Sequence, residues 1–200
     1  NAPNGTAQLD RVWAVDMDKD YSYNAIVQKY YINGDYDDPD VMSGENLVHE
    51  AWSYDGEWIM AVKNVATKNN IKRGVGNAGA VMVRPDGTDK RYIYADYTFT
   101  HEHGGSTYMG ICHCMLNWKS NRWLAADSSY GSGFSDLYLI DTYANKSHYL
   151  CRLPEKGVDP GHIHPQFSPD DNMIVFGCWS DKQDHGEIGW IDVSDIIAAA

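Results

Sequence analysis

Basic residues are scarce in this sequence: Lys and Arg number 16 against 28 Asp and Glu, so the formal net charge is −12. This shortage argues against nucleic acid as a partner and leaves no basic surface that a membrane would attract. No apolar run approaches the length of a membrane span, and no signal peptide is recognisable. We therefore expect no nucleic-acid partner and no membrane, and an acidic ligand would need a local cation.

Cysteine is also sparse, and its four residues form neither a CxxC pair nor the spacing of a zinc finger. Cys112 and Cys114 flank His113, and on a regular strand their side chains would point away from it. We expect both to be buried and inert, with half of a disulfide bond or a thiolate ligand as alternatives. The pairing state of Cys151 and Cys178 stays open.

Two short features bear on location. The sequence starts at Asn1 instead of Met, as expected of a processed chain or of part of a longer protein. The triplets that begin at Asn4 and Asn145 are glycosylation sequons, although such short patterns also occur by chance. A secreted or periplasmic location is slightly favoured, and a cytoplasmic one stays open.

Aromatic residues and glycine, by contrast, are abundant, with 7 Trp, 14 Tyr and 18 Gly in 200 residues. Aromatic side chains favour strands and glycines punctuate them, so the composition indicates an all-β protein of many short strands. The hydrophobic fraction of 43% is enough for a real core, and the length predicts one domain.

Three segments share one layout, in which a histidine is followed six residues later by a polar turn and then by an apolar strand. The pairs are His49 with Asp55-Gly56, His113 with Lys119-Ser120, and His164 with Asp170-Asp171. A lone histidine is more often an ordinary core or surface residue, but repeats around an axis bring equivalent positions together. We therefore predict a β-propeller over residues 1–200, belonging to a larger propeller. Its roughly four blade-like units are expected at about 9–48, 49–108, 109–158 and 159–195.

The segment from Asp159 to Asp170 concentrates groups that bind metals. On a strand, His162 and His164 would project from the same face, because side chains alternate with a period of two. Asp159 lies just upstream, within reach of the same point. One carboxylate and two converging imidazoles are a suitable ligand set for a divalent cation.

Two further polar segments have weaker signals. His101, Glu102 and His103 precede two glycines and form a second candidate for metal binding or acid–base chemistry, beside the plainer alternative of an exposed loop. We place His101 and His103 at the mouth of the site, as substrate-binding residues. The acidic run 33–40 predicts a solvated loop, with calcium binding as an alternative.

Together these motifs resemble the oligogalacturonate lyases. The resemblance is carried by His49-Glu50-Ala51-Trp52 with Asp55-Gly56, by His113 before its turn, and by Asp159-x-x-His162-x-His164-Pro165. Members of that family are seven-bladed propeller enzymes that cleave short pectic fragments by β-elimination with a divalent metal, commonly manganese. The resemblance spans most of residues 9–195, but only about the C-terminal half of the family's length.

The resemblance implies a role for each of these residues. The metal-binding histidines of the family are matched by His113, His162 and His164, and Asp159 stands where the family has a glutamine ligand. The resemblance implies Mn²⁺, and because that departure bears on metal preference, Zn²⁺ and Ca²⁺ are kept as alternatives. His49 matches the catalytic histidine and Arg11 resembles the catalytic arginine.

The expected chemistry suits these residue types. β-Elimination removes the proton α to a uronate carboxylate, so negative charge develops there and a bound cation would neutralise it. His49 would take the proton as a general base, and the guanidinium of Arg11 would hold a carboxylate of the acidic oligosaccharide.

Two questions stay open at this stage, one about the ring and one about the activity. The ring is completed by a second chain or copy, or it closes with four blades, or the chain is a fragment. The activity is that of an oligogalacturonate-type lyase or of an ulvan-type lyase on another anionic polysaccharide. A non-catalytic binding or assembly module with a structural metal such as Zn²⁺ is the third hypothesis.

Overall fold

A computed structural model describes residues 45–65, 79–85, 88–89, 91–94, 111–128, 134–154, 162–180 and 185–200. Within these ranges, eleven strands form three antiparallel sheets, and one short helix follows them. The strands predicted at 11–16 and 24–32 lie outside the described residues. No helix in the described part of the chain is long and apolar enough to cross a membrane.

Each sheet is built from strands that are consecutive in the chain. The first sheet contains β1 (Glu45–Trp52), β2 (Ile59–Val65), β3 (Gly79–Val83) and β4 (Arg91–Tyr94). The second contains β5 (Ile111–Leu116), β6 (Trp123–Ser128), β7 (Phe134–Asp141) and β8 (Lys146–Pro154). The third contains β9 (Gln166–Phe167), β10 (Met173–Ser180) and β11 (His185–Asp192), and α1 (Ser194–Ala198) follows it.

The first two strands of each sheet are joined by a turn of the same construction. The residue before the turn donates its backbone N–H to a carbonyl across it: Ser53 to Trp58, Asn117 to Trp123, and Ser168 to Met173, each at 2.9 Å. In two of the turns a serine hydroxyl donates to an aspartate two residues on, from Ser53 to Asp55 and from Ser168 to Asp170, both at 2.6 Å. These local bonds explain why the turn repeats in the sequence.

Two of the three clusters of buried hydrophobic side chains in the described residues lie between neighbouring sheets. Strand β6 is buried along its whole length, because its side chains pack alternately into these two clusters. Leu124 and Ala126 pack with the first sheet, whereas Trp123 and Ala125 pack with the third. The second sheet is thus the middle of a stack, and its first strand lies close to the other two sheets.

One carboxylate connects the second sheet to the third. Asp171, in the turn between β9 and β10, accepts hydrogen bonds from Asn117 Nδ2 at 2.7 Å, Trp118 N at 2.8 Å and Lys119 N at 3.0 Å. Asp171 has φ 65°, and its side chain is buried. The turns of neighbouring sheets are therefore held in register with one another.

The third sheet buries only one of its faces in the described part of the chain. Ile174 and Phe176 face the second sheet, and the opposite face exposes Ile188 at 82% and Trp190 at 66% of their surface. In this part of the chain the third sheet has three strands where each of the other two has four.

The all-β prediction is confirmed by these antiparallel sheets. The condition under which His162 and His164 would share a face, that both lie on a strand, is not met. Strand β9 begins only at Gln166, and the φ of 44° at His164 lies outside the regular geometry of a strand. The tail from residue 196, which carried no signal in the sequence, forms most of α1.

Candidate metal centre

Two of the three equivalent histidines lie in β-bulges. In β1 the pairing register shifts between Val48 and Ala51, and His49 lies within this irregular segment. In β5 the register shifts between Ile111 and Cys114, and His113 lies within that segment. A bulge redirects side chains away from the regular alternation of a strand. Both bulges lie in the first strand of a sheet, where the strands of neighbouring sheets come close together.

The left-handed backbone conformation at His49 and His164 is a second indication of a functional site. Their φ angles are 55° and 44°. Such values are uncommon outside glycine and are found disproportionately at functional sites, where surrounding structure enforces them. The local conformation therefore directs both imidazoles toward His113, whose ring centroid lies 4.5 Å from that of His49 and 3.8 Å from that of His164.

His162 completes a group of three imidazoles. Its ring centroid lies 5.5 Å from that of His113 and 5.7 Å from that of His164. One ring nitrogen of each residue lies within 4.8 Å of the other two, close enough for all three to reach one cation. The segment is held against the third sheet by the N–H of Gly177, which donates to the carbonyl of Ile163 at 2.7 Å.

The ring of His113 is oriented by the buried carboxylate of Asp127. His113 donates its backbone N–H at 2.7 Å, and its ring Nδ1 lies 2.9 Å from the same carboxylate. Because an ionised carboxylate only accepts, Nδ1 carries the hydrogen and Nε2 presents its lone pair. The N–H of His164 donates to Asp127 at 3.2 Å, so one carboxylate positions two of the three histidines.

His49 stands beside this group with its own tautomer fixed. Its Nδ1 lies 2.6 Å from the carbonyl oxygen of Cys112. A carbonyl only accepts, so Nδ1 is the donor, and in the neutral ring Nε2 is left as the acceptor. His49 is exposed, whereas His113 is buried, so His49 is the imidazole of this pair that solvent and ligands reach more easily.

A cavity of about 270 Å³ opens beside the imidazoles. Its wall includes three of the four histidines and parts of strands β1, β5 and β9: His49, His113, His164, Glu50, Met115 and Gln166. The volume lies just below the range of about 300–1,000 Å³ that is usual for small-molecule sites.

Three imidazoles with a carboxylate behind one of them suit a divalent transition metal. Imidazole nitrogen is a good ligand for such ions, and a carboxylate that accepts from the distal ring nitrogen is the usual support for a metal-binding histidine. The described residues therefore fit a metal of the kind expected from the sequence, with His113 as the best-oriented ligand.

One residue of this site, Asp127, was not predicted from the sequence, and the orientation of another, Cys112, differs from the expectation. Asp127 follows the apolar run Trp123-Leu124-Ala125-Ala126 on β6, and a carboxylate directly after such a run was the sequence signal that could have found it. The expectation that Cys112 points away from His113 is wrong, because the bulge places its Sγ 3.8 Å from His113 Nε2.

The state of the cysteines can be described from their pairing and burial. None of the four cysteines forms a disulfide bond. Cys114 is buried, as expected, and its Sγ lies 3.7 Å from Met60 Sδ. Burial strongly raises the pKa of the Cys114 thiol, so it stays protonated and unreactive.

Four of the predicted site residues lie outside the described residues: Arg11, His101, His103 and Asp159. Their roles remain predictions, and so do the roles of the histidines that the structure brings together.

No protein-family model and no curated protein matches this sequence. Solved structures do match the fold. An oligogalacturonate lyase in complex with manganese is similar at a TM-score of 0.53 and 21% identity, over 74% of this chain and 35% of that one. TolB from Acinetobacter baumannii is similar at a TM-score of 0.50 and 15% identity, over 76% of this chain and 31% of that one.

At these identities the likeness concerns the fold alone. It places the antiparallel sheets of this chain among those of β-propeller proteins. The chain spans about a third of the length of each neighbour. The number of blades and the boundaries of the blade-like units stay predictions.

Proposed function

We propose that this chain carries the metal-dependent active site of a polysaccharide lyase that cleaves uronic-acid-containing oligosaccharides by β-elimination. The observation that carries the proposal is the arrangement of four imidazoles, three placed to bind a metal and one placed beside them. Three offer nitrogens within 4.8 Å of one another, and the fourth, His49, lies 4.5 Å from the nearest ring with its tautomer fixed. The manganese complex of an oligogalacturonate lyase among the fold neighbours supports the same proposal.

The cation would be held by His113, His162 and His164, with Asp159 as a fourth ligand. Mn²⁺ is the favoured ion, with Zn²⁺ and Ca²⁺ as alternatives. A bound divalent cation supplies Lewis-acid stabilisation of the charge that develops on the uronate carboxylate. In the neutral ring, Asp127 holds the hydrogen of His113 on Nδ1, which leaves Nε2 as the nitrogen that can bind a cation.

His49 is proposed as the general base. The carbonyl of Cys112 holds the hydrogen of the neutral ring on Nδ1, so Nε2 is free to accept the proton α to the carboxylate. Its exposure in the cavity wall allows a sugar to approach, whereas the buried His113 is shielded. We assign Arg11 to the orientation of a substrate carboxylate, and His101 and His103 to the mouth of the site.

Two wider features belong to the same proposal. The chain has an acidic balance of −12, so an anionic substrate would bind through the cation and Arg11. A seven-bladed ring would be completed by a second chain or copy, or by the rest of a longer protein.

The decisive experiment is an absorbance assay for the unsaturated uronate product. Protein loaded with Mn²⁺ is incubated with oligogalacturonates and, separately, with ulvan. We expect product from oligogalacturonates, loss of product after chelation, and recovery when Mn²⁺ is returned. Product from ulvan alone would instead identify the ulvan-type lyase.

A non-catalytic module with a structural metal is the second candidate. It is favoured by the burial of His113 and of Asp127, since a buried ligand and its carboxylate suit a closed structural site. Tight metal binding without product from either polysaccharide, together with unfolding on chelation, would support this candidate and overturn the lyase.

A further inference from the structure

A second group of potential metal ligands overlaps the first. One ligand atom from each of His49, Cys112 and His113 lies within 4.8 Å of the other two. Cys112 and His113 are adjacent in sequence and would face opposite sides of a regular strand, but the bulge in β5 brings Sγ and Nε2 to 3.8 Å. The group therefore exists because of the same irregularity that directs His113 into the site.

The separation of sulfur and nitrogen fits one shared cation. In a tetrahedral zinc site, Zn–S of about 2.3 Å and Zn–N of about 2.0–2.1 Å place the two ligand atoms roughly 3.6 Å apart. The observed distance of 3.8 Å between Sγ and Nε2 is close to this value, and a small movement of one side chain would remove the difference. A thiolate with two imidazoles is a ligand set that selects thiophilic ions such as Zn²⁺ and Cd²⁺ over Mn²⁺.

The two groups cannot be occupied at once, because they share one atom. Asp127 engages Nδ1 of His113, so Nε2 is the ligand atom that this residue can offer to either group. That nitrogen has one lone pair and binds one cation. A cation held by His49 and Cys112 would therefore displace a cation held by His162 and His164.

We propose that His49, Cys112 and His113 form an alternative site for a thiophilic divalent cation, which displaces Mn²⁺ and occupies the imidazole of His49. On binding, the S–H bond of Cys112 breaks, its proton passes to solvent, and a sulfur–metal bond forms. The consequence for catalysis rests on the proposed function: with its nitrogen bound to the cation, His49 cannot act as the base, so Zn²⁺ and Cd²⁺ inhibit.

Cd²⁺ is the probe, because a cadmium–thiolate bond gives an ultraviolet charge-transfer band. The protein is first loaded with Mn²⁺ and then titrated with Cd²⁺, while the band and the electron paramagnetic resonance signal of released Mn²⁺ are recorded. The wild type should develop the band and release one Mn²⁺ for each Cd²⁺ bound. Cys112→Ser should lose the band, and His49→Ala should shift it to higher Cd²⁺ concentration.

Cys178→Ser is the matched control, because it removes a thiol that is half-buried and belongs to a different strand, β10. It should behave as the wild type. A band that survives in Cys112→Ser, or a band that grows without release of Mn²⁺, would overturn the proposal. Circular dichroism of each variant confirms that the fold is retained.

An activity measurement separates this inference from the proposed function. If product formation stops with Cd²⁺ in the wild type and resists Cd²⁺ in Cys112→Ser, the site controls the base. If the wild type forms no product with Mn²⁺ alone, the lyase proposal fails, while the band and the released Mn²⁺ still decide whether the thiolate site exists.

Discussion

Asp127 accepts two hydrogen bonds from His113, one from the backbone nitrogen at 2.7 Å and one from ring Nδ1 at 2.9 Å. The carboxylate is buried, and it also accepts the N–H of His164 at 3.2 Å. One side chain on β6 thus fixes the tautomer of one proposed ligand and the backbone of another, across the boundary between two sheets.

Asp127→Asn is expected to weaken Mn²⁺ binding by about 10–100-fold. The amide oxygen can still accept the N–H of His113, but its NH₂ group then faces Nδ1, which must become the acceptor. The ring hydrogen moves to Nε2, where it blocks the metal. Isothermal titration with Mn²⁺ measures the change.

Asp136→Asn is the control for this effect, because Asp136 is also a buried carboxylate on the second sheet. It forms an ion pair with Arg152 at 2.8 Å. We expect a loss of stability with unchanged Mn²⁺ affinity. Equal affinities for Asp127→Asn and the wild type would disprove the positioning role.

His162→Ala and His49→Ala should separate metal binding from turnover. His162 belongs to the group of three imidazoles, so its loss should abolish tight Mn²⁺ binding and activity together. His49 lies beside that group, so His49→Ala should keep the metal and lose product formation. Metal content and product absorbance are measured on the same samples. Full activity in His49→Ala would show that another residue is the base.

The sequence predicted features that depend on local chemistry. The repeated turn could be read because Ser53 and Asp55 bond to each other within three residues, and Ser168 and Asp170 do the same. The equivalence of the histidines followed from their fixed distance to that turn. The all-β class followed from the aromatic and glycine content.

Features that depend on contacts between strands could not be predicted. A bulge is defined by the partner strand, so the placement of Cys112 beside His113 had no signal in the sequence. The contact between Asp127 and His113 joins residues on paired strands, and that between Asp127 and His164 joins separate sheets. His162 and His164 do converge, but through a left-handed residue and not through a strand.

Gly177→Ala is expected to disturb the metal ligands through the backbone. An added Cβ would lie 2.7 Å from the carbonyl oxygen of His162, so the segment that carries His162 and His164 must shift. We expect a destabilisation of about 1–3 kcal/mol from overpacking, and weaker Mn²⁺ binding. Urea unfolding and isothermal titration measure the two effects.

Gly189→Ala tests whether overpacking alone explains that result. Its Cβ would meet the Phe176 ring at 2.5 Å, a similar crowding against a side chain and away from the histidine segment. Stability should fall while the affinity for Mn²⁺ stays unchanged. If both variants lost metal to the same extent, a direct effect of Gly177 on His162 would be ruled out.

Asp171→Gly should loosen the contact between the second and third sheets. Asp171 has φ 65°, and glycine adopts this angle without strain, so the variant removes the three hydrogen bonds and little else. We expect a loss of about 2–4 kcal/mol in the free energy of unfolding, measured in urea. Asp89→Gly, at an exposed residue with φ 48°, should cost less than about 1 kcal/mol. Similar losses in both variants would contradict the assigned role.

The free energy of unfolding should fall in acid, and the titration of Asp141 should account for part of this dependence on pH. Its buried carboxylate is paired with Arg122 at 2.7 Å, and this hydrogen bond holds the pKa of Asp141 below its ordinary value of 3.8. The unfolded chain therefore binds the proton more readily than the folded one. The ion pair therefore contributes fully to the free energy of unfolding above the pKa that Asp141 has in the unfolded chain. This contribution is lost as the pH falls through the pKa of Asp141 in the folded protein.

Asp141→Asn removes that titration while keeping the size of the side chain. The variant should be less stable than the wild type at pH 7, and its free energy of unfolding should depend less steeply on pH below about 4. Urea unfolding of both proteins between about pH 3 and 7 measures the slopes. Other carboxylates with lowered pKa values, such as Asp170, remain in both proteins, so the difference between the slopes isolates the pair with Arg122. Parallel curves would show that this ion pair contributes nothing to the dependence on pH.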